Sequence, residues 1–151
     1  MIRNLFLLFI SVNFAFATTQ TISHTPTKTG DFPAKEMMMQ KKEIVKLVAA
    51  EINQTLPQTV DKYTTLTHIE TKGETLIYTF EINTGSKSDE TIQKEDRSRM
   101  QKAVTTGVCQ SSRNFLEAGI NTSYSYISSK SKVVLFRFDI SQKNCTGLVH
   151  K

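Results

Sequence analysis

The chain has 151 residues, 38% of them hydrophobic, with a formal net charge of +5 at neutral pH. Its lysines and arginines are scattered and interleaved with acids, which argues against a nucleic-acid protein, where basic residues concentrate on one face or helix. The charge supports only a weak preference for acidic partners or anionic envelope surfaces.

The first residues read as an export signal. Met1-Ile2-Arg3 is a short basic region, Leu5 to Phe16 is an apolar run, and Ala15-Phe16-Ala17 fits a cleavage site. Residues 1–17 are therefore expected to be removed, near Ala17. The apolar run is too short and wrongly flanked for a stable membrane span, and no later stretch could supply one. The expected location is periplasmic or secreted. About 134 residues then remain, which fits one domain. Residues 18–33, rich in Thr, Ser, Gly and Pro, are expected to form a mobile leader ahead of a single domain over 34–151.

From Ala34 to about Leu56, Ile44, Leu47, Val48, Ile52 and Leu56 recur at helical spacing, and Pro57 ends the pattern. Met37-Met38-Met39 at its start is either filler at a helix end or an adaptable binding surface. Asp61 to Thr71 and Glu74 to Asn83 read as two strands around a Lys72-Gly73 turn. A helix follows from about Glu90, with Ile92, Met100, Val104 and Val108 on one stripe and Ser88 or Asp89 as its cap. Gly107 predicts a break, with a short segment to Leu116 and a stop at Gly119. Asn121 to Ser129 and Lys132 to Ser141 are the last strands, around Lys130-Ser131.

The strand Lys132–Ile140 alternates, with Val134, Phe136, Phe138 and Ile140 on one face. It aligns without a gap with Glu74–Ile82, 58 positions earlier, setting Tyr78 with Phe136 and Phe80 with Phe138. The order is α-β-β-α-β-β, two copies of one helix–hairpin unit. The expected architecture is an α+β two-layer sandwich: a four-stranded antiparallel sheet with both helices on one face and Phe136, Phe138, Tyr78 and Phe80 in the core layer. Cys109 and Cys145, in an exported chain, predict one disulfide closing a loop of about 36 residues.

Counting back from the turns places Leu66, His68, Ile77, Tyr124, Tyr126, Val133, Leu135 and Arg137 on the sheet face away from the helices. Aromatic residues with Arg are enriched at binding hot spots, so this face is a candidate partner-binding surface. The alternatives are a cover supplied by the leader or the Met segment, and plain cross-strand stabilisation.

Two segments carry a resemblance: Leu56-Pro57-x-x-Val60-Asp61-x-x-Thr64-x-Leu66, and Cys109-x6-Leu116-x-x-Gly119-x4-Tyr124-x-Tyr126 closed by Cys145. Together they resemble small, largely uncharacterised exported proteins of the Gram-negative envelope. The resemblance implies a periplasmic setting and a disulfide, and no reaction.

The residue types for chemistry are sparse. His68 is the one histidine inside the expected fold, and it has no His or Cys neighbour at metal-ligand spacing. The signatures of metalloprotease, hydrolase, P-loop and dinucleotide sites are absent. No cofactor or metal is expected. The favoured reading is a non-enzymatic periplasmic binding or accessory protein that docks on another envelope or secreted protein. The alternatives are a small secreted hydrolase or toxin using His68 with Glu70 or Glu81, and an inhibitor or immunity protein of a periplasmic enzyme.

Overall fold

In a computed structural model, residues 34–146 are described. The expected signal segment 1–17 and leader 18–33 lie outside them. The elements are α1 (Ala34–Asn53), β1 (Gln58–Thr59), β2 (Thr64–Lys72), β3 (Thr75–Ile82), α2 (Asp89–Ser111), α3 (Arg113–Glu117), β4 (Asn121–Ser128), β5 (Val134–Ile140) and a short 3-10 turn at Gln142–Cys145. The described residues belong to one compact unit.

The sheet has five strands in the order β1-β2-β3-β4-β5. The expected helix–hairpin duplication is present, but the sheet is mixed rather than antiparallel. The reason is the joint between the hairpins. α2 and α3 carry the chain back to the end where β3 began, so β4 runs parallel to β3, from Thr75 beside Asn121 to Ile82 beside Ser128. The fifth strand is the two-residue β1, paired with Leu66 and Thr65 of β2.

The first turn is Gly73-Glu74, flanked by the Lys72–Thr75 pair, one residue later than its sequence reading. Gly73 has φ 62°, the positive value that a primed hairpin turn requires. Gly107 does not break α2, which continues to Ser111, and the interruption falls at Ser112. Gly119 takes φ 80° just after α3, as a helix stop does. At the other end of α2, the Thr91 N–H donates to the Ser88 side chain, and Asp89 and Glu90 sit against the positive end of the helix dipole.

Phe80, Phe136 and Phe138 are buried in one core cluster with Val45, Ala49, Leu66, Ile69, Leu76 and Tyr126, and Tyr78 packs against it. Of α1, it is Val45, Val48, Ala49 and Ile52 that meet this core, whereas Ile44 and Leu47 are exposed. Val48, Ile52 and Leu56 of the expected stripe thus pack against the core, and Val45 and Ala49 take the places expected for Ile44 and Leu47. The two cysteines are bonded, joining the last turns of α2 to the segment after β5 with Cα atoms 5.4 Å apart. Closing 36 residues is worth about 3–4 kcal/mol in chain entropy.

The outer edge of β2 is covered beyond β1 by a single side chain. The Asn53 Nδ2 donates to the Ile69 carbonyl at 2.6 Å, and the Ile69 N–H donates to Asn53 Oδ1 at 2.9 Å. Asn53 thereby stands in for a neighbouring strand and blocks edge-to-edge pairing there. It also pins the C-terminus of α1 to the sheet.

Two outcomes follow from this packing. Phe136→Ala is expected to destabilise the domain by about 3–5 kcal/mol in urea unfolding; a loss below about 1 kcal/mol would contradict its place in the core. Asn53→Ala is expected to cost about 1–3 kcal/mol, since it leaves both Ile69 backbone groups unpaired. A midpoint equal to wild type would show that the clamp contributes nothing.

Candidate functional site

The face assigned from sequence to a partner is divided by the structure. Leu66, Tyr124, Tyr126 and Leu135 belong to the helix-covered core side, not the open one. Two β-bulges are the cause. Between Leu66 and His68 the register slips, so that Leu66 pairs with Phe80 while His68 pairs with Thr79. Between Tyr126 and Ile127 it slips again, so that Tyr126 meets Phe136 and Tyr124 meets Phe138, while Ile127 meets Val134. One extra residue in a strand sends every side chain beyond it to the opposite face. Leu135, at the second bulge, is turned into the core with 3% exposure.

What remains on the open face is mostly polar. His68, Glu70, Arg137 and Asp139 are exposed, with Ile77 buried among their neighbours. Asp139 is held below the usual carboxylate range, first by the Ser123 hydroxyl and then by Arg137, whose Nε lies 3.3 Å away. Glu81 is committed to Lys132 at 2.8 Å. Val133 is exposed just ahead of β5. This is the ordinary solvated side of a sheet with one covered face. Among the described residues no group of three or more His, Cys, Asp or Glu is placed to hold a metal ion.

The concave surface lies on the helix side. α1 packs on β2 and the adjacent part of β3, and α2 packs on β5. The central strip between them carries Tyr78, Phe80, Tyr124 and Tyr126. Their rings stack across the parallel joint, with centroids 4.9 Å apart for Tyr78–Tyr124 and 4.9 Å for Phe80–Tyr126. Tyr78 and Tyr124 are only half-buried. At about 100° per residue, Met37, Ile44 and Leu47 fall on the flank of α1 opposite Asn53, and Asn53 sits on the outer edge of β2. Met37 and Ile44 therefore lie on the side of α1 nearer the sheet's centre, while Leu47 points largely to solvent. Lys41, beside that flank, reaches to within 2.8 Å of the position that a Cβ on Gly119 would occupy, at the α3–β4 junction.

Ile44 is 44% exposed and Leu47 65%. Across the strip, Ile92, Asp96, Arg99 and Met100 of α2 line a cavity of about 750 Å³ with Ile82 and the loops at 61–63 and 83–87. The charged side chains at this end are paired with one another: Lys87 with Glu95 at 2.6 Å, and Arg99 with Asp96 at 2.6 Å. Tyr63, also exposed, stands on the same rim with Lys62 over its ring. The lining of this cavity is mixed: Ile82, Ile92 and Met100 are apolar, Lys87 and Arg99 are each paired with an acid, and Asp61 and Lys62 add further charge. The sequence signal for the exposed apolar side of α1 was the Met run and the Ile44/Leu47 pair, which helical periodicity had counted as core.

Burial raises the phenol of Tyr124 well above its ordinary value, with Tyr78 and Tyr126 adding to the effect. Tyr126 is pushed up to about 12, first by burial and then by the Asp61 carboxylate. The fold thus favours the neutral phenols. That contribution is complete below the unfolded value near 10 and is lost as pH rises toward 12. The melting temperature is expected to fall steeply between these limits, and Tyr126→Phe to flatten the fall. An unchanged slope in Tyr126→Phe would show that this phenol is not held neutral by the fold.

Three solved structures share the fold. A Pseudomonas aeruginosa protein inferred to be secreted superposes with a TM-score of 0.64 at 15% identity, over 72% of this chain and 96% of its own. The pilotin EpsS of the Vibrio vulnificus type 2 secretion system gives 0.56 at 16% identity, over 74% and 96%. The type II secretion system pilotin AspS of Vibrio cholerae gives 0.55 at 13% identity, over 74% and 98%. Curated proteins offer no match. The family model described as a domain of unknown function, DUF8479, matches residues 39–136, and the chain belongs to that family.

Proposed function

We propose that this protein is an exported, periplasmic accessory protein that carries out no chemistry of its own and docks an apolar segment of another envelope protein in the cleft between α1 and α2. The observation that carries the reading is the pair Ile44 and Leu47. Both are large, apolar and exposed, and with the exposed Met37, Met38 and Met39 they make α1 an uncovered apolar helix rather than one carrying a single surface apolar residue. Isolated surface apolar residues need no explanation, but five on one helix do.

Three further points support it. The signal-like first residues send the chain to the envelope. The fold is one that pilotins of type II secretion systems also use, which is compatible with an accessory role there. Lys87 and Arg99 are each paired with an acid at the rim, so the occupant is selected more by shape and apolar area than by acidic charge.

Substituting Leu47→Asp tests the reading. The side chain is largely solvent-exposed, so the melting temperature is expected to stay within about 2 °C of wild type. Photo-crosslinking from position 44 in periplasm is expected to trap one predominant envelope protein with the wild-type cleft and to lose it with Leu47→Asp. Identical crosslinking by the two forms would remove the cleft as the docking site.

A further inference from the structure

We infer that the Cys109–Cys145 bond is what seats α2, so that the cleft exists only in the oxidised chain. The inference rests on the docking reading for its functional consequence, and on the fold alone for its physical content.

α2 is long but thinly held. Of its 23 residues only Ile92, Val108 and Cys109 are buried, with Met100 and Val104 partly so. Most of the remaining positions are charged or polar. It packs chiefly on β5, which is the sheet's edge, on α3 and on the 3-10 turn at Gln142–Cys145. Its N-terminal end is fastened by polar links: Gln93 Nε2 donates to the Val134 carbonyl at 3.1 Å, and the Ser131 hydroxyl donates to Asp89 at 2.6 Å. Both are solvent-exposed and contribute little each.

At the C-terminal end the small cluster Val108, Leu116 and Ile140 is separate from the main core. The 3-10 turn beside it buries none of its own residues. Cys145 is its apolar contact with that cluster, and its covalent link to α2. Without the bond the turn loses its covalent anchor. Among the described residues, the C-terminal half of α2 then keeps Met100 and Val104 against the main core, Val108 in the satellite cluster and no polar link to the sheet like those at its N-terminal end. A segment with few buried apolar groups and exposed hydrogen bonds is the part of a fold that opens first.

α1, by contrast, is tied to the sheet by the Asn53 clamp and by residues of the main core, independently of either cysteine. Loss of the bond is therefore expected to open one wall of the cleft and leave the β2–β3 half folded. In a reducing compartment the chain would lack a docking surface. On export, the two thiols surrender two electrons and two protons to a protein disulfide by thiol–disulfide exchange; that oxidant leaves as a dithiol, and the cleft closes into shape.

Hydrogen exchange on the full chain decides this without reference to any partner. Oxidised protein, the same protein reduced with a phosphine, and Cys109→Val combined with Cys145→Ala are compared at neutral pH. The double variant keeps apolar bulk at position 109. Amides of residues 100–111 are expected to lose protection by about tenfold or more in the reduced protein and the variant, while β3 and β4 keep theirs. Re-oxidation of the reduced protein should restore the pattern. Unchanged protection in α2 would overturn the inference, as would uniform loss across all elements or failure of the variant to fold. The docking reading is judged separately, by crosslinking of the oxidised protein.

Discussion

The parallel contact between β3 and β4 is the constraint on which the rest of the architecture depends. Each hairpin alone is a two-stranded ribbon, and such ribbons are marginal in water. Tyr78 over Tyr124 and Phe80 over Tyr126 weld the two into one sheet. A parallel joint cannot be made by a tight turn, so the connection must be long and must cross back over a face. α2 is that crossover. It is forced onto the side where the aromatic rings need cover, which is also the side of α1. Two helices on one face, one over β2 and one over β5, leave Tyr78 and Tyr124 of the welded strip half-buried between them.

Much of this was legible in the chain, and the rest was hidden for definable reasons. The period-2 runs at 74–82 and 132–140, the stripe of α2 and the two cysteines are local or countable signals, and each corresponds to what folds. The bulges are not of that kind. At Thr67 and Leu135 one residue is added to a strand whose alternation still looks regular, because Thr is acceptable on either face and Leu135 has apolar neighbours on both sides. That single unit moved Leu66, Tyr124 and Tyr126 from the open face to the core face. The duplication masked the error, since Val134 aligns with Leu76, yet Leu76 is buried and Val134, ahead of its bulge, is exposed.

The misplacement in α1 has a different origin. Ile44, Val45, Leu47, Val48 and Ala49 are so densely apolar that a helical stripe can be drawn through more than one set. Periodicity finds the larger side chains, Ile44 and Leu47, and makes them core. The fold instead buries Val45 and Ala49, because α1 lies close to β2 and only small residues fit beneath it. Asn53 fixes the rotation of the helix about its axis by holding Ile69. The larger apolar residues are left exposed, where ordinary core logic gives them no partner.

The placing of tyrosine and phenylalanine tells the same story from the sheet. Phe136 and Phe138 lie on β5, directly under α2, in sites that take a ring and offer no outlet for a hydroxyl. The tyrosines of the sheet, Tyr78, Tyr124 and Tyr126, are all on β3 and β4, between the helices. A buried phenol without a route to water or a partner is costly, so tyrosine is tolerated where its tip can reach an open strip. The same substitution pattern makes the floor of the cleft amphipathic. Its stacked ring faces offer apolar area, and its hydroxyls offer hydrogen bonds at their edges. Those hydroxyls are protonated at physiological pH, as any phenol is, and burial of Tyr124 and Tyr126 holds them neutral further into the alkaline range, so they can donate as well as accept. A segment lying there would meet apolar contact along its length and a small number of neutral polar groups to fix its register, with no requirement for matching charge.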